Sequence, residues 1–136
     1  MTEPVKVLMI DDEADFCYFV KKNLMRSGMF DVVIATNGKQ GIELANNEKP
    51  DIILLDMLMP GMSGDEVAAV LKRKAATATI PILYLTALAT DEDVNEDMDE
   101  DMDDCNERKS GKNFILAKPV RTKKLMETIL KILGKS

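Results

Sequence analysis

The chain has 136 residues, enough for one domain with a single buried core, and 46% of them are hydrophobic, which indicates a globular protein. It contains no histidine, so Ser-His-Asp and Cys-His triads and histidine-ligated metal sites are excluded. The net charge of −6 disfavours nucleic-acid binding. Without a membrane-length apolar run or a signal peptide, the sequence predicts a soluble, cytoplasmic protein.

Five short apolar runs alternate with longer stretches of helical periodicity, and each run is predicted to form a β-strand. The predicted strands are 5–10, 31–35, 52–55, 81–85 and 114–117. Near-continuous apolar runs of this length are typical of strands that are buried on both faces, as in parallel sheets.

Apolar residues at helical spacing predict four helices between and after these strands. The residues of the apolar stripes are Phe16, Phe19, Val20 and Leu24; Ile42, Leu44 and Ala45; Val67, Val70 and Leu71; and Leu125, Ile129, Ile132 and Leu133. Gly28, the pair Asn46-Asn47 and Gly134 are predicted to end the first, second and last helices. This alternation predicts an α/β fold, a doubly wound five-stranded parallel sheet with helices on both faces.

Polar residues fall where the predicted strands end. Asp11 and Asp12 follow the first strand, Asp56 the third, Thr86 the fourth and Lys118 the fifth. Ligands of open α/β sheets bind outside the carboxyl ends of the strands, so these side chains are predicted to converge. Three clustered carboxylates are typical of a site for a hard divalent cation such as Mg²⁺, and a neighbouring lysine suits phosphoryl transfer. A carboxylate is the expected nucleophile, and Asp56, which is separate from the Asp11-Asp12 pair, is the best candidate.

Each of these residues taken singly has an ordinary structural explanation. Two aspartates after a strand are usual at a helix N-terminus, and an aspartate before a Pro/Gly loop is usual in a turn. A single threonine at a strand end usually satisfies backbone groups, and a single lysine usually lies in a solvated loop. Their joint placement after four strands of one predicted sheet favours a functional site.

Four stretches of the sequence match motifs of a known family in the family's order: 7–13, 50–64, 84–87 and 117–119. On these motifs the chain resembles the receiver domain of two-component response regulators, and the resemblance extends over essentially the whole chain. It implies a flavodoxin-like fold of the receiver type. It also implies a single receiver domain over residues 1–136 with no output domain, and a phosphoacceptor rather than an enzyme.

The resemblance implies a role for each aspartate at the sheet edge. Asp56 would accept a phosphoryl group from the phosphohistidine of a sensor histidine kinase or a phosphotransfer protein. Asp12 and Asp56 would ligate Mg²⁺ directly, with Mn²⁺ as an alternative ion, and Asp11 would act mainly through water. The backbone carbonyl of Leu58 would complete the protein ligands.

The resemblance also implies how the phosphoryl group is held and read. Lys118 would pair with one phosphoryl oxygen, and the Thr86 hydroxyl would move onto another. The Lys118–Pro119 peptide bond is expected to be cis. The protein would relay the phosphoryl group or switch a surface that binds a downstream protein, formed in the family by the fourth helix, fifth strand and fifth helix. Neither nucleic acid nor a membrane is an expected partner, and a monomer or a phosphorylation-linked dimer is expected.

The sequence departs from the family pattern at two places near the site. Ile115 stands where the family often has a switch aromatic, three positions before Lys118, and the adjacent Phe114 is expected to be a core residue. Leu58 and Leu88 stand where many members have polar residues that position water. Because leucine cannot hydrogen-bond a hydrolytic water, slow loss of the phosphoryl group is predicted.

A third departure is an acidic insertion around 91–108 in the fourth-helix region. Residues 91–104 carry ten carboxylates and no basic side chain, and the remainder of the chain carries a net charge of +4. Apolar residues four apart within the run permit a long acidic helix, whereas repulsion among the carboxylates favours a disordered, solvated segment. A docking surface for a basic partner, or for the chain's own Lys123-Lys124, is a third interpretation.

Two other functions remain open on sequence grounds. One is a partner-binding, receiver-like module that acts without phosphorylation, although the complete set of five site residues argues against it. The other is a Mg²⁺-dependent phosphatase that works through an aspartyl-phosphate. That class usually has two aspartates separated by one residue after the first strand, whereas here Asp11, Asp12 and Glu13 are adjacent.

Overall fold

The computed structural model describes residues 3–86, 114–118 and 120–135, with the Thr86 side chain outside that description. The strands are β1 (Val5–Ile10), β2 (Phe30–Ala35), β3 (Ile52–Asp56), β4 (Ile82–Thr86) and β5 (Phe114–Ala117), and the helices are α1 (Ala14–Arg26), α2 (Gly38–Glu48), α3 (Gly64–Arg73) and α4 (Thr122–Leu133). The described helices all lack the length and apolar composition of a membrane-spanning segment. The predictions that concern Leu88, the Lys118–Pro119 bond and the acidic insertion fall outside the described residues.

The five strands form one parallel sheet in the order β2-β1-β3-β4-β5. The chain moves outward from β1 to β2, returns to β3 on the other side of β1, and continues to β4 and β5. This direction reverses between β1 and β3, whose carboxyl ends pair at Ile10 and Leu55. A reversal of this kind opens a crevice at the carboxyl edge of the sheet. The predicted doubly wound five-stranded parallel sheet is confirmed.

The sheet separates two hydrophobic cores. Along β1, Val7 and Met9 pack into the core that also contains buried residues of α1 and α4, and Leu8 and Ile10 pack into the core shared with α2 and α3. All four side chains are fully buried. Because successive side chains of a strand point to opposite faces, a strand covered on both faces is apolar throughout. This geometry explains the near-continuous apolar runs in the sequence.

Local chemistry sets the helix ends. At the start of α3 the Ser63 hydroxyl accepts from the Glu66 N–H at 3.3 Å, and the Glu66 carboxylate accepts from the Ser63 N–H at 2.9 Å. This reciprocal pair satisfies two backbone donors that the helix itself leaves free. α4 ends at Gly134, whose φ of 70° is a left-handed conformation that favours glycine.

Two details of the helix predictions are wrong. α2 does not end at the pair Asn46-Asn47 but continues to Glu48, and Lys49 ends it in the left-handed conformation at φ 48°. Phe19 is 54% exposed, and Cys17 is fully buried in its place on the inner face of α1. Successive helical residues are about 100° apart around the axis, so Val20 can face the core only if its neighbour Phe19 turns away.

Candidate functional site

Three aspartates meet at the carboxyl edge of the sheet, where the strand order reverses. Asp11 follows β1 directly and Asp56 is the last residue of β3, so the pairing of Ile10 with Leu55 brings the two aspartates together. Carboxylate oxygens of Asp11, Asp12 and Asp56 lie within 4.8 Å of one another. Asp11 and Asp56 are buried, at 0% and 5% exposure, whereas Asp12 is exposed. The predicted convergence of the three carboxylates is observed.

Asp11 and Asp56 each form the same kind of local turn with the backbone that follows them. Oδ1 of Asp11 accepts from the Glu13 N–H at 2.9 Å, and Oδ1 of Asp56 accepts from the Leu58 N–H at 3.3 Å. Aspartates commonly bind the backbone two residues on in this way. One oxygen of each carboxylate is thereby fixed by the backbone, and the other is left to face a cation.

Lys118, which follows β5, brings a positive charge to the two buried aspartates. Its Nζ lies 2.9 Å from Asp11 Oδ2, 2.9 Å from Glu13 Oε1 and 3.8 Å from Asp56 Oδ2. The lysine side chain is only 11% exposed. Burial lowers its pKa, but the contacts with the Glu13 and Asp11 carboxylates outweigh burial, so the pKa is raised above its ordinary value. The lysine is therefore an ammonium at neutral pH.

The Asp56 carboxyl group ionises in an unfavourable environment. Burial and then the neighbouring Asp11 charge raise its pKa from 3.8 to about 6, against opposing effects of Lys118 and the Leu58 N–H. At neutral pH the group is still mostly ionised. It is a desolvated carboxylate beside an ammonium, which is suited to act as a nucleophile.

Gly64, the first residue of α3, permits close approach of that helix to the carboxyl end of β3. Its N–H donates to the Met57 carbonyl at 3.0 Å. A Cβ at this position would lie 2.5 Å from the Asp56 carbonyl oxygen and 2.8 Å from the Met57 Cα. Both atoms belong to the backbone, so neither can yield without moving Asp56. Glycine at position 64 therefore allows the N-terminus of α3 to pack directly against the end of β3.

The residues at this edge fit a divalent cation. Asp11 Oδ2 is buried and accepts no hydrogen bond of good geometry, although the Lys118 ammonium is 2.9 Å away. An unsatisfied buried acceptor is costly unless another charge compensates it. Asp11, Asp12, Asp56 and Glu13 also place four carboxylates around the single ammonium of Lys118 among the described residues. This excess of oxygen donors matches the preference of Mg²⁺.

The remaining predicted site residues lie at or near the same edge. The backbone of Thr86 ends β4 in register with Ala117, but its side chain is outside the described part of the chain. The Leu58 side chain is 56% exposed. Phe114 packs against the core on the α1 and α4 side, as predicted, and Ile115 is 36% exposed on the opposite face of β5.

Two residues near Lys118 were not predicted from the sequence. Glu13 binds the ammonium directly, and the Phe16 ring centroid lies 4.8 Å from Nζ. Both residues belong to the start of α1, three positions apart, and so share one helix face. Glu13 directly follows Asp11 and Asp12 in the sequence, which places a third acidic residue near the site. Glu13 and Lys118 are far apart along the chain, so the sequence did not indicate their contact.

The Cys17 side chain supports the site through a hydrogen bond to the backbone of Asp11. Its thiol donates to the Asp11 carbonyl at 3.3 Å. Burial, and then the Asp11 charge, raise the pKa of this thiol to about 12. The group is therefore a protonated thiol that fixes the backbone of Asp11 rather than a nucleophile.

Sequence comparisons find one family over most of the chain. A family model described as the response regulator receiver domain matches residues 7–130. Protein PilH of Pseudomonas aeruginosa is 31% identical over 129 residues, which are 95% of this chain and 98% of PilH. The alkaline phosphatase synthesis transcriptional regulatory protein PhoP of Bacillus subtilis is 40% identical over 82 residues. That match covers 60% of this chain but 33% of PhoP, so the likeness concerns about a third of the larger protein.

Solved structures with the same fold include single receiver domains. The chemotaxis protein CheY4 of Vibrio cholerae matches with a TM-score of 0.76 and 25% identity, over 96% of this chain and 99% of CheY4. The receiver domain of the Francisella response regulator 1452 matches with a TM-score of 0.73 and 26% identity, over 98% of both chains.

Proposed function

This chain belongs to the family of response regulator receiver domains, and we propose that it accepts a phosphoryl group on Asp56. The donor is the phosphohistidine of a sensor histidine kinase or a phosphotransfer protein, and the reaction requires Mg²⁺. The observation that carries this proposal is the placement of a desolvated carboxylate, Asp56, between two further aspartates and a buried ammonium. These are the groups that phosphoryl transfer needs at one point.

The proposed step is an in-line displacement at phosphorus. One Asp56 carboxylate oxygen forms a bond to phosphorus while the bond from phosphorus to the donor's imidazole nitrogen breaks, and the electron pair stays with that nitrogen. Lys118 neutralises one phosphoryl oxygen, and the Thr86 hydroxyl binds another. Asp12, Asp56 and the Leu58 carbonyl would ligate Mg²⁺ directly, and Asp11 would act mainly through water; the ion would supply further neutralisation of phosphoryl charge. In this step the phosphoryl group passes to Asp56 and not to water, so the protein acts as a phosphoacceptor, which assists its own phosphorylation and dephosphorylation, rather than as an enzyme.

We propose that residues 1–136 act as one receiver domain whose phosphorylation changes a protein-binding surface or passes the group on. The exposed Ile115 on the edge strand β5 and the adjacent basic helix α4 support a downstream protein as the reader. An edge strand beside a charged helix offers both apolar and polar contacts to a partner.

The test is intact-mass measurement after incubation with Mg²⁺ and acetyl phosphate, with Asp56→Asn as the matched variant. The proposal expects one added phosphoryl group on the wild type and none on the variant, and no addition when EDTA replaces Mg²⁺. A phosphoryl group on Asp56→Asn would place the acceptor elsewhere.

A second measurement covers a receiver that accepts only from a protein donor. Beryllofluoride with Mg²⁺ is then added to the wild type, and NMR reports whether residues around Asp56 are perturbed. If neither reagent acts, the protein is a partner-binding module that works without phosphorylation. Sustained release of inorganic phosphate from a phosphomonoester, faster than the phosphorylated protein loses its own phosphoryl group, would instead indicate the aspartyl-phosphate phosphatase.

A further inference from the structure

The Lys118 ammonium lies away from the proposed phosphoacceptor. Its Nζ is 3.8 Å from Asp56 Oδ2 but 2.9 Å from both Asp11 Oδ2 and Glu13 Oε1. A direct charge-assisted contact spans about 2.7–2.9 Å, so the ammonium contacts Asp11 and Glu13 directly and Asp56 only at longer range. The resting position of the ammonium is thus set by Asp11 after β1 and by Glu13 at the start of α1.

Glu13 occupies the N-cap position of α1 without capping the helix. Its side chain makes no cap hydrogen bond, whereas Asn37 and Ser63 cap α2 and α3 through their side chains. Short polar residues are favoured at this position, and a capping side chain would satisfy a free backbone donor. The Glu13 carboxylate instead turns to Lys118, where it accepts a hydrogen bond at 2.9 Å.

Phe16 gives the ammonium a second contact from the same helix turn. The ring centroid lies 4.8 Å from Nζ, within the range of a cation–π interaction. Phe16 is half-buried against the core on the α1 side, so the ring is fixed by packing. A carboxylate and an aromatic face three residues apart therefore form a cradle for Lys118, made of Glu13 and Phe16.

We propose that this cradle, together with Asp11, holds Lys118 off Asp56 in the unphosphorylated protein and that Glu13 competes with the phosphoryl group for the ammonium. The inference rests on the proposed function, in which Lys118 pairs with a phosphoryl oxygen. Glu13 is a positioning residue: it touches no reacting atom and sets how readily the lysine transfers. Since Glu13 is 63% exposed, the competition is modest, and its removal is expected to tighten phosphoryl binding about two- to five-fold.

The experiment is a beryllofluoride titration at saturating Mg²⁺, followed by ¹⁹F NMR, which gives the Kd of a phosphoryl analogue without any turnover. Glu13→Gln removes the competing charge and nearly preserves the shape of the side chain, so its Kd should fall about two- to five-fold. Asp15→Asn is the local control, because Asp15 lies in the same first turn of α1 and is absent from the ion pairs of Lys118. Glu48→Gln is the remote control, because it breaks a Lys–Glu pair of the same 2.9 Å distance with Lys6.

The outcomes separate the inference from the proposed function. Tightening in Glu13→Gln alone supports the cradle. An unchanged or weaker affinity in Glu13→Gln, or equal tightening in Asp15→Asn, overturns it, since the latter reports only a general loss of negative charge. In those cases wild-type binding leaves the proposed function standing. A wild type that binds no beryllofluoride, and acquires no phosphoryl group, overturns both.

Discussion

The Asp56 carboxylate is a charge that the folded protein accommodates poorly. Its pKa of about 6, against an ordinary 3.8, is raised first by burial and then by Asp11. The folded state therefore binds the proton more tightly than the unfolded state does. The free energy of unfolding falls as the pH rises between these two values, and the loss persists at higher pH.

Asp56→Asn is expected to stabilise the metal-free protein at pH 8, because the substitution removes this buried charge. A shift of about two pKa units corresponds to about 3 kcal/mol, which is the upper limit of the gain in the free energy of unfolding. Urea unfolding of both proteins in EDTA, at pH 4 and pH 8, measures the gain. Near pH 4 the wild-type carboxyl is mostly protonated when folded, so the difference should shrink. A difference that is equal at both pH values would contradict the role of this ionisation.

Leu58→Asn is expected to shorten the lifetime of the phosphorylated protein several-fold. The leucine side chain is 56% exposed two residues after Asp56 and has no group that can orient a water, whereas an amide can. Loss of the added phosphoryl mass with time, after removal of acetyl phosphate, gives the lifetime. Met25→Asn is the control, because it makes the same change at another exposed apolar side chain, 41% exposed on α1. Equal lifetimes of wild type and Leu58→Asn would show that Leu58 does not limit hydrolysis.

The residues of the site differ in how far the sequence could predict them. Asp11, Asp56 and Lys118 were found because each directly follows a predicted strand, and parallel strands bring their carboxyl ends to one edge. Glu13 and Phe16 do not directly follow a strand. Their contact with Lys118 depends on the conformation of the long, flexible lysine side chain. That choice is settled by packing against α1, which no local pattern of the sequence encodes.

The junction between β3 and α3 couples a helix to the site. Gly64→Ala is expected to lower the free energy of unfolding by about 1–3 kcal/mol and to reduce phosphorylation of Asp56, because the new Cβ would collide with the backbone of Asp56 and Met57. Thermal unfolding and intact-mass measurement report the two effects.

Gly28→Ala is the control for this substitution. Gly28 has a φ of 81°, and a Cβ added there would meet no atom within 4 Å, so alanine strains the backbone without touching the site. It should lower stability and leave phosphorylation intact. A Gly64→Ala protein that is phosphorylated as well as Gly28→Ala would show that the close approach does not position Asp56.

The elements were predicted most accurately where burial is complete. The residues of β3 from Ile52 to Leu55 are all fully buried, and their apolar run matched the observed strand to within one residue. The end of α2 was misplaced because Lys49 adopts the left-handed conformation that glycine, and less often asparagine, usually adopts at a helix end. Phe19 was misassigned because a large apolar residue next to Val20 extends the apparent stripe, although only one of two neighbours can face the core.

The strands β1 and β3, which carry the aspartates, contribute side chains to both hydrophobic cores. A ligand bound at the ends of these strands should therefore stabilise the whole domain. Mg²⁺ at about 100 times its Kd is expected to raise the free energy of unfolding by about 2.7 kcal/mol, because it binds the folded state alone. Urea unfolding with and without Mg²⁺ measures the gain, and EDTA should reverse it. Asp12→Asn should lose most of the effect, since Asp12 is an exposed member of the carboxylate cluster. Equal stabilisation of both proteins would place the ion elsewhere.

Glu13 and Lys118, which meet at the site, are 105 positions apart in the chain. On the ribosome, β1, α1 and β3 emerge long before the lysine does, and synthesis adds only about 5–20 residues per second. During that interval the aspartates lack their ammonium partner, and the last strand of the sheet is missing. On the proposed function, a nascent or truncated chain that ends before residue 118 would lack the lysine that pairs with the phosphoryl group, so phosphorylation would require synthesis to have passed that residue.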